Sequence, residues 1–310
     1  MRVGSNEGRV QRLEIQEEQA GQRLDNFLRR RLKGVPKSHI YRILRTGQVR
    51  VQGRRAKPDY RLQAGDVIRV PPTRQAASGE PPPASSRLMG LLEEGILVED
   101  EHVIVLNKPP GLAVHGGSGV SLGLIEALRQ ARPHQPTLEL VQRLDRETSG
   151  CLVLAKSRLA IQELHRLLNQ GLMDKRYLAL VAGRWRGGER RVAAALSRAG
   201  KGGSDQRVEV SETGKSAETW LTPVKRFAEA TLVEARLTTG RTHQIRVHAA
   251  HLGHPVIGDR KYGDFAYNRA LGAPRLCLHA SRLGFSLGGR RYDAEAPVPE
   301  DLKETLGRLA

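Results

Sequence analysis

LVQRLDRETSGCLVLAKS, residues 140–157, is the stretch on which the fold turns. A strand-like run ends in Arg143-Leu144-Asp145, and the polar RETSG makes a turn. CLVLA then leaves as the unbroken apolar run that a strand buried on both faces requires. Ser157 caps a following helix, SRLAIQELHRLLNQG, whose Leu164, Leu167 and Leu168 recur at helical spacing before Gly171 stops it. The succession places an aspartate at a strand-turn-strand junction. Flanked by Arg143 and Arg146, that carboxylate is expected to be held ionised by its neighbours. Taken alone, the same pattern also describes a turn aspartate in a surface ion pair.

Outward from this stretch the pattern stays mixed. HVIVLNKPPG is a strand ended by Pro109 and Pro110, SLGLIEALRQ a helix, RYLALVAG a strand, and TLVEARLTTG alternates as a half-buried strand does. RTHQIRVHAAHLG reads as a helix from near Thr242 to Gly253, RLCLHASRLGF as a strand, and DLKETLGRL as a short helix. The intervals are irregular and do not repeat as βαβ units. The expected class is therefore α+β, with a mixed, largely antiparallel sheet over residues 88–310. Residues 71–87, PPTRQAASGEPPPASSR, read as a proline-rich linker.

The chain has 310 residues, enough for about two domains. Its 51 Lys and Arg against 33 Asp and Glu leave a net charge of +18. No apolar run is long enough for a membrane span, and the N-terminus lacks the apolar stretch of a signal peptide, so a cytoplasmic protein with no membrane partner is expected. Cys151 and Cys277 alone exclude a disulfide framework and a four-cysteine zinc site. The charge suggests a polyanionic partner; a merely basic enzyme is the alternative. It is also concentrated. Residues 21–70 hold 14 Lys or Arg against Asp25, Asp59 and Asp66, which is +11 of the +18. This segment has the punctuation of a folded module: RLDNFLRRRL as one helix, a second with Ser38 as N-cap and Ile40, Ile43 and Leu44 inward, Gly47 as its stop, then two short strands. Residues 1–19 read as an N-terminal extension and 20–70 as the module.

Several familiar motifs fail. GKS at 214–216 has Glu209 where a phosphate-binding loop needs glycine, and GGSG at 116–119 lacks the third glycine of a dinucleotide fingerprint. His243, His248, His251 and His254 cluster without the nearby carboxylate that a catalytic zinc site uses, so no metal is expected.

Residues 20–70 resemble an S4 domain through RLDNFL, KSHIYRILRTGQVRVQG and AGDVIRV. The resemblance implies docking on structured RNA through shape and phosphates, with Arg23, Arg29, Arg30, Lys37, Ser38, Arg42, Arg45 and Arg50 as contacts. Residues 88–310 resemble the RluA-type pseudouridine synthase family through NKPPGLAVHGGSG (107–119), RLDRETSG (143–150), KRYLAL (175–180), GRTHQIRVHAAHLGHPVIGDRKYG (240–263) and LCLHA (276–280). Gln142 departs from the histidine usual there. The resemblance implies uridine isomerisation in large-subunit ribosomal RNA by a monomer, with neither metal nor redox cofactor. By the same resemblance Asp145 is the essential carboxylate, acting at the ribose C1′ or as base at C2′, and Arg246 is its partner. Tyr177 stacks on the detached uracil, Leu278 lines its pocket, Arg143 fills the space left by the flipped base, and His243 and Gln244 contact substrate. Two rival readings are a non-catalytic RNA-binding protein and a metal hydrolase built on the histidine cluster.

Overall fold

The computed structural model describes residues 10–32, 35, 37–73, 82–116, 120, 122–135, 137–199 and 207–309. The chain divides into two compact units, Met1–Pro81 and Pro82–Ala310. Residues 74–81 of the stretch read as a linker, and residues 117–119 of GGSG, lie outside the described residues.

The first unit contains β1 (Gln11–Glu14), α1 (Leu24–Arg31), α2 (Lys37–Arg45), β2 (Arg50–Val51), β3 (Arg54–Arg55) and β4 (Val67–Val70). Leu24, Phe27 and Leu28 of α1 and Ile40, Ile43 and Leu44 of α2 are buried together against Val51, Ile68 and Val70 of the sheet. The sheet runs β1-β4-β2-β3, all antiparallel. β1 lies in the stretch read as an N-terminal extension, yet pairs along its whole length with β4. Its four residues, QRLE, are too few and too polar to announce a strand. Ser38 is not the cap of α2: the helix begins at Lys37, so Ser38 sits in its first turn, exposed. The α1 entry is held by a clasp. Arg23 donates to both Asp25 oxygens at 3.1 and 2.9 Å, and the Tyr41 hydroxyl donates to Asp25 at 2.8 Å.

The second unit contains α3 (Ser86–Glu94), β5 (Ile96–Glu99), β6 (Val103–Lys108), α4 (Leu124–Ala131), β7 (Glu139–Leu140), β8 (Ser149–Ala155), α5 (Arg158–Asn169), β9 (Asp174–Ala182), β10 (Arg190–Ala193), β11 (Leu196–Ala199) and β12 (Arg207–Val210). It continues through β13 (Glu218–Arg226), β14 (Ala230–Leu237), α6 (Gln244–His251), α7 (Phe265–Ala270), β15 (Leu278–Leu287), β16 (Arg290–Glu295) and α8 (Glu300–Gly307). The main sheet runs β10-β13-β14-β9-β15-β8-β6-β5, with β16 added to β15 and β7 to β8. Every pair in it is antiparallel except β8 with β15. This is the expected α+β architecture. β8 is buried along its full length, as its apolar run predicts. Ser157 caps α5 by accepting from the Ala160 amide.

The junction around Asp145 differs from its reading. β7 ends at Leu140, and residues 141–148 are irregular rather than the end of a strand. The parallel β8–β15 contact follows at once, with Gly150 opposite Ala280. Gly150 has φ +105°, and a Cβ there would lie 2.2 Å from the Ala280 carbonyl oxygen. Only glycine permits this approach.

Candidate active site

Adjacent strands of the sheet bring the pieces together. Asp145 lies in the loop entering β8, Leu278 opens β15, Tyr177 is on β9, and Leu237 ends β14. These strands are consecutive neighbours in the sheet. α6, which follows β14, carries Arg246. All five residues line one cavity of about 60 Å³, together with Arg143, Thr148 and His243. It adjoins a cleft of about 530 Å³ that shares Arg143, Asp145, Tyr177 and His243 and adds Gln142 and Lys175. That size is in the range of a nucleotide-sized ligand site.

The electrostatic centre is Arg246. Its Nη1 donates to Asp145 Oδ2 at 2.7 Å, while Nε and Nη2 clasp both oxygens of Asp259 at 2.7 and 2.8 Å. Asp259 is fully buried, and its Oδ1 also accepts the Lys261 and Tyr262 amides at 2.8 and 3.1 Å. Burial alone would raise the Asp259 carboxyl, but the bonds and charge of Arg246 outweigh it and hold the group below the usual range. Burial likewise opposes the Arg246 charge, and the two carboxylates outweigh it, so the guanidinium pKa rises. Asp145 therefore faces a permanent cation. That cation is Arg246, not the flanking arginines expected from sequence. Arg146 turns away to donate to the Gly111 carbonyl at 2.9 Å. Arg143 is exposed and makes no hydrogen bond or ion pair among the described residues.

His243 faces the other Asp145 oxygen, with Nε2 3.9 Å from Oδ1. Its backbone is left-handed, φ +55°. The Tyr262 hydroxyl accepts the Val208 amide at 2.9 Å and hydrogen-bonds His243 Nδ1 at 2.8 Å. Burial depresses the His243 pKa more than the Asp145 charge raises it, which favours the neutral imidazole. Tyr177 is buried, and desolvation followed by the Asp145 charge pushes its hydroxyl pKa up. At neutral pH it is a phenol.

The side-chain amide of Gln244 is engaged within the fold. Its carbonyl accepts Thr239 Oγ1 and the Arg241 amide at 2.7 and 3.0 Å, and its amide donates to the Glu218 carbonyl and Thr219 Oγ1, both at 2.9 Å. It pins the loop before α6 to β13 while also lining the cavity beside Asp145. His248 is buried between Thr219 Oγ1 and the Ala194 carbonyl, and His251 is exposed. No group of three metal-ligating side chains gathers among the described residues.

Sequence reasoning missed three supporting residues. Asp259 and Tyr262 lie within the quoted GDRKYG, but nothing in their spacing separates them from ordinary loop residues. Lys108 of NKPPG is wholly buried, and its Nζ donates to the Pro109, Leu112 and Arg146 carbonyls at 2.8, 3.0 and 3.0 Å. It ties its own loop to the residue after Asp145. Burial pulls its pKa down to about 7. Gly258, before Asp259, has φ +79°, and a Cβ there would meet the Arg275 carbonyl at 1.8 Å.

Residues 102–251 match the family model for RNA pseudouridylate synthase, and residues 22–68 match the model of the S4 domain. The chain is 49% identical over 307 residues to the ribosomal large subunit pseudouridine synthase C of Pasteurella multocida, covering 97% of this chain and 94% of that protein. It is 49% identical over 304 residues to the protein of the same name from Escherichia coli K12, covering 95% of each. The chain belongs to the RluA-type pseudouridine synthase family. A solved structure of the human RNA pseudouridylate synthase domain containing 4 superposes with a TM-score of 0.61 at 26% identity, over 72% of this chain and 95% of that one. The chain is thus an RNA pseudouridine synthase with an S4 domain. The synthase match includes Asp145, Tyr177 and Arg246 but ends before Asp259, Tyr262 and Leu278. The S4 match begins after β1.

In the S4 domain, Arg29, Arg30, Arg42, Arg45 and Arg50 are exposed. Arg42 meets His39 at 3.2 Å, and Arg50 lies at 3.4 Å from the Gly47 and Gly53 carbonyls. Arg23 is engaged in the Asp25 clasp, which accounts for its place in the fold. The Lys37 side chain lies outside the described residues. No helix among the described residues is long and apolar enough to cross a membrane.

Proposed function

We propose that this synthase isomerises uridine to pseudouridine in large-subunit ribosomal RNA, with Asp145 as the group that acts at the ribose. The carrying observation is the Asp259–Arg246–Asp145 chain. A buried carboxylate anchors the arginine, and the arginine presents its remaining edge to a partly open carboxylate. An Asp145 side chain oriented by Arg246 suits either addition to C1′ or proton removal at C2′. In both routes the N1–C1′ bond breaks and the C5–C1′ bond forms. The proton at C5 leaves and N1 ends with a proton, so nothing is oxidised and no water is consumed.

The remaining residues take roles that fit their places. Tyr177 supplies a flat buried wall for the detached uracil, and its protonated hydroxyl can relay the C5 proton. Leu278 closes the pocket. His243 presents its Nε2 beside Asp145 to a substrate oxygen. Arg143, exposed and without a partner among the described residues, stands at the mouth of the cleft to occupy the space left by the flipped base. The S4 domain docks the RNA through exposed Arg29, Arg30, Arg42, Arg45 and Arg50, and the enzyme works as a cytoplasmic monomer without a cofactor. The test is incubation of the protein with unmodified large-subunit ribosomal RNA, followed by pseudouridine mapping. New pseudouridine at discrete uridines supports the proposal; none, with intact RNA binding, overturns it.

A further inference from the structure

One row of side chains crosses all four strands of the S4-domain sheet. Arg12 stands opposite Arg69, Arg69 opposite Arg50, and Arg50 opposite Arg55. All four are exposed, while Ile68 and Val51 on the other face are buried. Like charges directly opposed across strands destabilise a sheet. None of the four pairs with an acid among the described residues, and Glu14, two residues along β1 from Arg12, forms no ion pair with any of them. Instead Arg50, Arg55 and Arg69 donate to the Gly47, Thr46 and Gln48 carbonyls at 3.4, 3.5 and 3.2 Å. They gather at the C-terminal turn of α2, beside exposed Arg42 and Arg45. The negative end of the helix offsets part of the repulsion. Most of the guanidinium N–H groups still point to solvent. Next to Arg55, a groove of about 570 Å³ lined by Arg54, Lys57 and Tyr60 extends the basic surface.

We infer that this arginine row is a phosphate track, so that the sheet face as well as the helix pair holds the backbone of the docked RNA. The inference rests on the proposal that the S4 domain docks ribosomal RNA, and gives that docking a second face. Strands lie about 4.8 Å apart, so the row spans about 14 Å.

The test compares the full chain with R12Q/R50Q/R55Q/R69Q and with the matching quadruple lysine variant. Binding of an unmodified large-subunit ribosomal RNA transcript is titrated between about 50 and 200 mM salt. The track predicts that the glutamine variant lowers the slope of log K against log salt by about 2 to 3, while the lysine variant keeps it. A steep wild-type slope that the glutamine variant leaves unchanged overturns the track alone. A wild-type chain that does not bind the transcript overturns the docking proposal with it. If the arginines serve only to cap α2, the glutamine variant loses thermal stability with its slope intact, which also overturns the track. Should that variant fail to fold, R12Q and R69Q singly are each expected to lower the slope by a little under 1.

Discussion

Arg246 serves two carboxylates in different ways. Asp259 takes two of its donors and is fully buried, whereas Asp145 takes one and keeps an open oxygen. Asp259 is the anchor and Asp145 the group free to react. Removing one partner of a buried pair costs about 3–5 kcal/mol. Asp259→Ala is therefore expected to lower unfolding stability by about 3 kcal/mol and to cut turnover as well, measured by urea unfolding and by pseudouridine formation. Tyr262→Phe removes the hydroxyl that hydrogen-bonds His243 Nδ1. It is expected to lower kcat about tenfold with little change in KM, as a positioning role predicts. Equal losses in RNA affinity would contradict it. At this scale the sequence was legible only through motif resemblance. Asp145 and Arg246 stand 101 positions apart, and no local pattern joins them. Asp259 was hidden because a loop acid shows its partner only when the fold closes.

At the scale of elements, short-range rules carried furthest. The unbroken apolar run of β8, the Ser157 cap and the Leu spacing of α5 all appear as read. β1, β10 and β16 were not legible, because QRLE, RRVA and RRYDAE are short and arginine-rich, and tertiary pairing overrides their weak local signal. The turn before β8 was legible as a turn, but the approach of β15 to Gly150 that demands glycine was not. Gly150→Ala is expected to destabilise the second unit by more than about 1 kcal/mol, seen as a lowered Tm. The α1 clasp gives a pH prediction. Hydrogen bonds from Arg23, then from Tyr41, hold the Asp25 carboxyl down to about 2, against an ordinary 3.8. A carboxyl depressed in the folded state stabilises above its unfolded pKa, and that contribution fades as pH falls through the folded value. Wild type should therefore exceed Asp25→Asn by about 2 kcal/mol near neutral pH, with the gap closing between about pH 4 and pH 2. Unfolding of both proteins across that range checks it.

Across the whole molecule, charge and core are divided. Each unit buries its own apolar cluster, and residues 21–70 carry +11 of the +18. Deleting residues 1–81 should raise KM for ribosomal RNA and flatten its salt dependence while leaving turnover at saturating RNA. Loss of turnover there would contradict this division. The basic surplus was legible from composition, and its distribution named the docking module. The chemistry lay in the poorer-charged body, where a few cations act by position. The measurement that bears most directly on the account is single-turnover pseudouridine formation by Asp145→Asn, made alongside its RNA affinity and Tm. The account predicts a loss of at least about 10⁴-fold in the chemical step, with RNA affinity and Tm near wild type, because Asp259 still anchors Arg246. An Asp145→Asn enzyme that turns over within about tenfold of wild type would contradict it.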